Sequence, residues 1–245
     1  MVNSEQIYGI HAVMEAIKAD EPINKVYLQK GLKGGLFKSL ETLARKKRLM
    51  VSYVPIERLN KLTKNNHQGA VALISPVAFQ NFEDTVEKIL QKQEPPFFLL
   101  LDGISDVRNF GAIIRTAECC GVDAIVVPKN NSAPINADAV KTSAGAAFKI
   151  PITKVDHLKD AIFYLQSSGV EIVAATEKAD TFVYDVPLNR ACAVIMGSEG
   201  SGISPSLLKL ADHTAKLPML GEIESLNVSV ACGVFLYEVV RRRKG

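Results

Sequence analysis

The sequence is poor in the features that would place it in a membrane or outside the cell. No apolar run approaches the ~20 residues needed to span a bilayer; stretches such as Phe97 to Leu101 are far too short. The opening residues, MVNSEQIYGIH, show no basic cluster followed by an apolar segment, so no secretory signal is expected. Cysteine is scarce: Cys119, Cys120, Cys192 and Cys232 are the only four in 245 residues, without C-x-x-C spacing. Set in apolar runs, they read as buried free thiols in a reducing cytoplasm, and no zinc site is expected. No H-E-x-x-H pattern occurs, and His11, His157 and His213 read as surface or structural residues. Low-complexity tracts are missing as well. With 47% hydrophobic and 22% charged residues, the chain reads as folded and long enough for one or two domains.

Charge is present but uneven. Residues 1–77 hold 12 Lys/Arg against 6 Asp/Glu, whereas residues 78–245 hold 17 against 20. The surplus is densest at Arg45-Lys46-Lys47-Arg48 and continues through Arg58, Lys61 and Lys64. A basic small domain beside a near-neutral larger one points to a grip on a polyanion, with RNA or DNA the obvious candidate; a plain solvated helix face is the bland alternative. A second basic run, Arg241-Arg242-Arg243-Lys244, closes the chain and is expected to do no more than complement a helix dipole.

Periodicity divides the chain in two. Before residue 78, Ile7, Ile10, Val13, Met14 and Ile17 fall at helical spacing, Val26 to Leu28 forms a short strand, and a helix (36–47) and strand (50–54) follow. Residues 78–96 read as a connector with one polar helical segment, closed by Pro95-Pro96. Beyond it come apolar strands at 97–101, 124–127, 150–153, 171–175, 193–196 and 214–217. Continuous rather than alternating hydrophobicity implies burial on both faces, hence a mainly parallel sheet flanked by helices. The expected fold class is α/β in both halves.

Three segments follow strand ends, where open α/β sheets bind ligands. The first runs from Leu101 to Arg115; Asn109 reads as a helix cap, with Arg115 six residues on. The second, Met196 to Ser204, carries Gly197, Gly200 and Gly202, which let a ligand approach the backbone. This loop lacks G-x-G-x-x-G and a Lys-Ser/Thr pair, so neither dinucleotide nor P-loop chemistry is supported. The third runs from Leu217 to Ser229 into the last helix.

Together these segments resemble the SpoU (TrmH-like) branch of the SPOUT superfamily of RNA ribose 2′-O-methyltransferases. The resemblance rests on N-F-G-A-I-I-R-T-A at 109–117, G-S-E-G-S-G-I at 197–203 and L-P-M…S-L-N-V-S-V-A at 217–231. The segment 139–146 also fits, as do Tyr8-Gly9-Ile10-His11-Ala12-Val13 and Asn66-His67-Gln68-Gly69-Ala70-Val71. Family members often carry Asp-Pro before the Asn, where this chain has Asp106-Val107. The arrangement is most similar to bacterial large-subunit rRNA guanosine 2′-O-methyltransferases.

That resemblance implies a basic RNA substrate-binding domain (1–77), a connector (78–96) and a six-stranded methyltransferase domain (97–245) with a trefoil knot. It implies S-adenosylmethionine as cofactor, rRNA as substrate with tRNA as the alternative, no metal, and a cytoplasmic homodimer whose sites lie near the knot and the subunit interface. The cofactor would be held by Thr176, Gly197, Gly202, Leu217 and Leu226. Catalysis would fall to Arg115, Asn109, Glu199, Ser225 and Asn227. The matched arginine has been assigned as a general base, yet arginine is effectively always protonated, and a fixed cation on phosphate and emerging alkoxide is the rival role. Other readings are a non-catalytic RNA-binding or ribosome-assembly factor, which the intact set of polar residues opposes, and a nucleotide-dependent oxidoreductase, which the missing fingerprint opposes.

Overall fold

The computed structural model describes residues 6–223 and 225–244. Residues 1–5, read above for a targeting signal, and Glu224 of the third segment lie outside the described residues. The chain divides into two compact units, Met1–Ala78 with Pro134–Ala137, and Phe79–Ala133 with Asp138–Gly245.

The first unit alternates strand and helix: β1 (Gln6–Tyr8), α1 (Ile10–Lys18), β2 (Ile23–Gln29), α2 (Gly35–Lys46), β3 (Val51–Val54), α3 (Ile56–Leu62) and β4 (Ala70–Ile74). The sheet order is β1-β4-β2-β3, with β2 and β3 parallel and β4 antiparallel to both its neighbours. Val26, Leu28, Ala70 and Ala72 point from one sheet face onto Val13 and Ile17 of α1 and Phe37, Leu40 and Ala44 of α2. Ile7, which helical spacing assigned to the first helix, instead pairs with Ala72 in β1. Gly9, at φ 93°, turns the chain between them, a conformation that only glycine adopts without strain. Asn24, buried in this unit, donates from Nδ2 to the Ile135 carbonyl at 2.8 Å.

In the second unit, β5 (Phe97–Asp102), β6 (Ala124–Pro128), β7 (Ile152–Val155), β8 (Glu171–Ala175), β9 (Cys192–Gly197) and β10 (His213–Ala215) form one sheet. Its order is β10-β8-β9-β5-β6-β7, and every neighbouring pair is parallel. Helices α4 (Phe82–Leu90), α5 (Val107–Cys119), α6 (Ala137–Thr142), α7 (Leu158–Ser167), α8 (Pro205–Leu208) and α9 (Val228–Lys244) accompany it. The central strands β5 and β9 are buried along nearly their whole length, which is why they read as unbroken apolar runs. The helix inside residues 78–96 is packed as part of this unit: Phe82, Val86 and Ile89, at i, i+4 and i+7, join its core, Thr85 is buried beside them with its hydroxyl on the Asn81 carbonyl, and Glu83, Asp84, Glu87 and Lys88 stay in water.

Because all six strands run the same way, their carboxyl ends line one edge. The chain moves outward from β5 through β6 to β7, then returns to build β8, β9 and β10 on the other side. The reversal falls between β5 and β9, which are neighbours. Loops leaving those two strands diverge there and open a crevice. Cys120, Cys192 and Cys232 are buried free thiols as expected, whereas Cys119 is exposed, since it ends α5 on the solvent side. Burial pushes the Cys120 and Cys192 thiols up to about 11, which makes them inert at neutral pH.

Candidate functional site

The loop after β5 becomes α5 through a side-chain cap. Asp106, not Asn109, is the cap: its carboxylate accepts from the Asn109 backbone N–H at 2.8 Å. Asn109 is therefore the third residue of the helix, and its amide is free to point outward at the crevice. Its Nδ2 donates to Glu199 Oε1, and its Oδ1 accepts from Asn227 Nδ2 at 3.1 Å. Asn227 Oδ1 in turn accepts from the Ser229 backbone N–H at 2.9 Å and hydroxyl at 2.6 Å. One relay thus joins residues from all three segments picked out in the sequence. Each amide has its orientation set by a neighbour, leaving donor and acceptor capacity unused at Asn109 and Glu199.

The loop carrying Glu199 is held tightly. Ser198 and Gly202 exchange backbone hydrogen bonds at 3.1 and 2.9 Å, and the Ser198 and Ser201 hydroxyls meet at 2.7 Å. Asp102, at the end of β5, accepts from the Ser204 backbone N–H at 2.7 Å and from its hydroxyl. Gly197 admits no side chain: a Cβ there would lie 2.1 Å from the Gly202 carbonyl carbon. Gly202 takes φ 66°, closing the turn. These two glycines shape the loop.

Beside the relay lies a cavity of about 120 Å³, open to solvent, whose walls include Thr176, Met196, Leu217, Ser225, Leu226 and Phe235. Its lining is mostly apolar, with Glu177 and Lys216 the charged side chains among the described residues. A second, more polar hollow is bounded by Gly103, Ser105, Ser198, Glu199 and Ser201.

The structure thus brings together Asn109, Glu199 and Asn227, and separately Thr176, Leu217, Ser225 and Leu226. Ser225 stands with the cavity wall and not with the relay. Gly197 and Gly202 line neither space, and Met196, directly before Gly197, supplies cavity surface. Arg115 is exposed, makes no hydrogen bond or ion pair among the described residues and lines neither space. Six residues place it about 120° around α5 from Asn109, on the other side of the helix. Met196, Glu177, Lys216 and Phe235 of the cavity, and Asp102, Ser204 and Ser229 of the bracing, were not singled out in the sequence. The position of Met196 at the end of an apolar strand, directly before an obligatory glycine, was the available signal. Among the described residues there is no group of three or more His, Cys, Asp or Glu able to hold a metal ion, and no helix is long and apolar enough to cross a membrane.

The second unit is thus a parallel α/β sheet with a polar relay and an apolar cavity at the reversal point, and the first is a small basic α/β unit. The SpoU rRNA methylase family matches residues 96–237, and the RNA 2′-O ribose methyltransferase substrate-binding family matches residues 6–80. A relative from Staphylococcus epidermidis, provisionally named a TrmH family tRNA/rRNA methyltransferase, is 35% identical over 237 residues, covering 97% of this chain and 95% of its own. The chain belongs to the SpoU (TrmH) family of RNA methyltransferases. Among solved structures, the SpoU methyltransferase AviRb from Streptomyces viridochromogenes, in complex with the cofactor AdoMet, shares the fold at TM-score 0.61 and 23% identity over 97% of this chain and 90% of that one. The A. aeolicus TrmH/SpoU tRNA modifying enzyme matches at TM-score 0.57 and 28% identity, over 66% of this chain and 84% of that one.

Proposed function

We propose that the protein transfers a methyl group from S-adenosylmethionine to a ribose 2′-hydroxyl of RNA, and that its substrate is a guanosine of large-subunit rRNA. The observation that carries this reading is the relay from Glu199 through Asn109 to Asn227, held at the strand ends beside an apolar cavity. The cavity fits the cofactor by its chemistry: apolar walls suit an adenosyl group, and Thr176, Ser225 and the main chain near Leu217 and Leu226 offer the few polar contacts that fix orientation. When bound, the cofactor supplies an electrophilic methyl on a sulfonium sulfur.

The chain's own residues have two tasks, alignment and charge. Asn109 and Asn227, each pinned by a neighbour, present fixed amides that orient the ribose and so remove much of the entropic barrier. Glu199 anchors Asn109 and leaves one carboxylate oxygen facing the polar hollow. Arg115 acts as a cation on the target phosphate and the emerging alkoxide. Its exposure favours this role over a base, which would need a desolvated guanidine.

Arg115 reaches a site through dimer formation in this reading. Exposed apolar side chains crowd the stretch before and along α9: Leu220 is 98% exposed and Ile223 75%, while Val230, Val234 and Tyr237 form a stripe at i, i+4 and i+7. Such a face is expected to be covered by a second copy. α5, which bears Arg115, packs against α9, so a partner on that stripe meets Arg115 as well. A knotted path for the last segment, a division of labour between an RNA-docking stretch (1–77), a connector (78–96) and a methylating stretch (97–245), and a cytoplasmic setting complete the proposal.

A tRNA substrate is the second reading, favoured by the name of the A. aeolicus tRNA modifying enzyme, while the S. epidermidis relative is named for tRNA and rRNA alike. Tritiated methyl transfer to unmodified large-subunit rRNA and to tRNA transcripts, followed by mapping of 2′-O-methyl positions, separates the two. Label in rRNA supports the first reading; label confined to tRNA replaces it with the second. Absence of transfer to either overturns both. Asn109→Ala should lower turnover about 100-fold or more while calorimetry shows cofactor binding within a few fold.

A further inference from the structure

The small sheet of the first unit has two ends of different character. At one end β1, β2 and β3 finish and β4 begins, as the pairings Tyr8 with Val71 and Leu28 with both Ala70 and Tyr53 fix. At the other end α2 delivers the chain into β3 through the run 45–48. The sequence directs attention to that second end, where the cations are densest. The structure shows them partly answered: Lys47 meets Asp20 at 2.5 Å and Lys18 meets Glu15 at 2.6 Å, with Glu21 close in the chain.

The first end is built differently. Three loops are tied together by Gly9 N–H donating to the Ala70 carbonyl at 3.0 Å, Ile10 N–H to Gln68 Oε1 at 3.3 Å, and Gln29 N–H to the Gly69 carbonyl at 2.8 Å. His67, buried, is the keystone: its Nδ1 accepts from Gly69 N–H at 3.0 Å, so the ring proton sits on Nε2 facing Asn60 Oδ1 at 2.9 Å. Gly69, at φ 83°, has Leu32 where a Cβ would go, at 2.5 Å. Gln68 holds φ 51°, a left-handed conformation that a side-chain-bearing residue keeps only when its surroundings impose it.

What this rigid end presents to solvent is mostly basic, with Glu57 in the first turn of α3 an exposed acid at its margin. Lys30, Lys33 and Lys64 are exposed and have no ion-pair partner among the described residues. The stretches 8–11, 29–36 and 58–69 contain no Asp or Glu. Tyr8 (39% exposed) and His11 add two rings beside them. Unpaired cations at fixed spacing suit phosphates, exposed rings suit unstacked bases, and a pre-ordered backbone lowers the cost of docking. We infer that the RNA substrate docks on this end of the small sheet, with Lys30, Lys33 and Lys64 on phosphates and Tyr8 and His11 against bases, and that the denser run 45–48 is not the docking surface. The inference rests on the RNA-methyltransferase reading and adds a location to it.

Filter binding of the full-length chain to unmodified large-subunit rRNA and tRNA transcripts, between about 50 and 200 mM salt, tests it. The triple variant Lys30→Ala/Lys33→Ala/Lys64→Ala should bind about 10- to 100-fold more weakly at 0.1 M salt (about one Debye length of 10 Å), with the log–log salt slope flatter by about two. Tyr8→Ala/His11→Ala should weaken binding with the slope unchanged. Arg45→Ala/Lys46→Ala should stay within about threefold of the parent. All are surface changes, and unaltered thermal midpoints and cofactor calorimetry confirm intact folding. A triple variant that binds like the parent, or a slope that falls only for the 45/46 variant, overturns the placement while leaving the methyltransferase reading intact. A parent chain that binds neither RNA overturns both.

Discussion

Two runs of four consecutive cations, Arg45 to Arg48 and Arg241 to Lys244, are nearly interchangeable as strings, and each closes a helix. In the structure they have little in common. All four of the first run are exposed, with Lys47 reaching Asp20. In the second, Glu238 is only 6% exposed and takes Arg241 at 2.6 Å and Arg242 at 3.2 Å. Arg243 donates to the carbonyls of Pro95 at 2.7 Å, Pro96 at 3.1 Å and Arg190 at 2.7 Å, with its guanidinium 5.1 Å from the centre of the Phe97 ring. The run expected only to complement a helix dipole instead fastens the end of α9 to the starts of β5 and β9. Charge density along a sequence reports where cations are. Which acceptors fold up around them decides whether they hold the protein together or stay in solvent.

The comparison breaks most easily at Arg243. Removing it takes a charged donor from three carbonyls, of which that of Pro96 keeps the Cys192 N–H at 3.1 Å and the other two are open to water. Hydrogen bonds to charged groups are worth about 1.5–3 kcal/mol each net, and water replaces part of that at the exposed carbonyls. Arg243→Ala should destabilise the chain by about 2–3 kcal/mol in urea unfolding, without altering cofactor affinity at the opposite edge of the sheet. A loss under about 0.5 kcal/mol would put the two runs back in one class.

Lys154 sharpens the contrast from the other side, as a cation in an unfavourable place. Burial, with Lys129 nearby, pulls its amine down to about 8, although it stacks 3.7 Å from the Phe79 ring centre. A lysine whose folded value lies below its unfolded one binds fewer protons when folded, so stability should rise with pH between about 8 and the ordinary lysine value. Lys154→Met should stabilise the chain by about 1–2 kcal/mol at neutral pH, after the loss of the ring contact, and erase that rise. Unfolding midpoints measured across this pH range check it; an unchanged pH profile in the variant refutes the assignment.

Legibility in the sequence followed a similar rule. Strands buried on both faces, such as β5 and β9, announced themselves because their runs of apolar residues need no knowledge of their neighbours. The helical segment inside 78–96 is visible, but its packing is not, because its core-facing side is short and includes the polar Thr85 beside Phe82, Val86 and Ile89. Ile7 was misassigned since a single residue of helical spacing cannot outvote a left-handed Gly9. The cap fell to Asp106 rather than Asn109 because the two compete three residues apart, and only the hydrogen bond decides. Asn109, Glu199 and Asn227 were each named, yet their relay spans separations of 90 and 118 residues, which no local pattern carries. Arg115 joins them through the family resemblance, and in the folded chain it lies about 120° around α5 from Asn109.

Glu238 gives a smaller effect with a definite sign. The hydrogen bond from Arg241, helped by Arg242, holds its carboxyl below the usual carboxylate range. Its contribution is therefore complete at neutral pH and is lost as pH falls through that depressed value. Glu238→Gln should cost about 1 kcal/mol at pH near 7, with parent and variant converging in acid. Parallel curves at all pH values would show that shape, not charge, is what Glu238 supplies.

The smallest effect is expected where the cations are densest. Arg45 and Lys46 lie in water at the end of α2, and exposed ion pairs contribute about 0–1 kcal/mol at best. Four adjacent like charges also repel one another, so removing two relieves repulsion while it forfeits a favourable helix-dipole interaction of similar size. Arg45→Ala/Lys46→Ala should therefore change unfolding free energy by less than about 0.5 kcal/mol in either direction, and any difference should shrink further in high salt because screening acts on both contributions. A salt-independent loss above about 1 kcal/mol would mean that this run, like its C-terminal counterpart, is fastened to groups inside the fold. The two runs would then differ in where their partners lie and not in whether they have them.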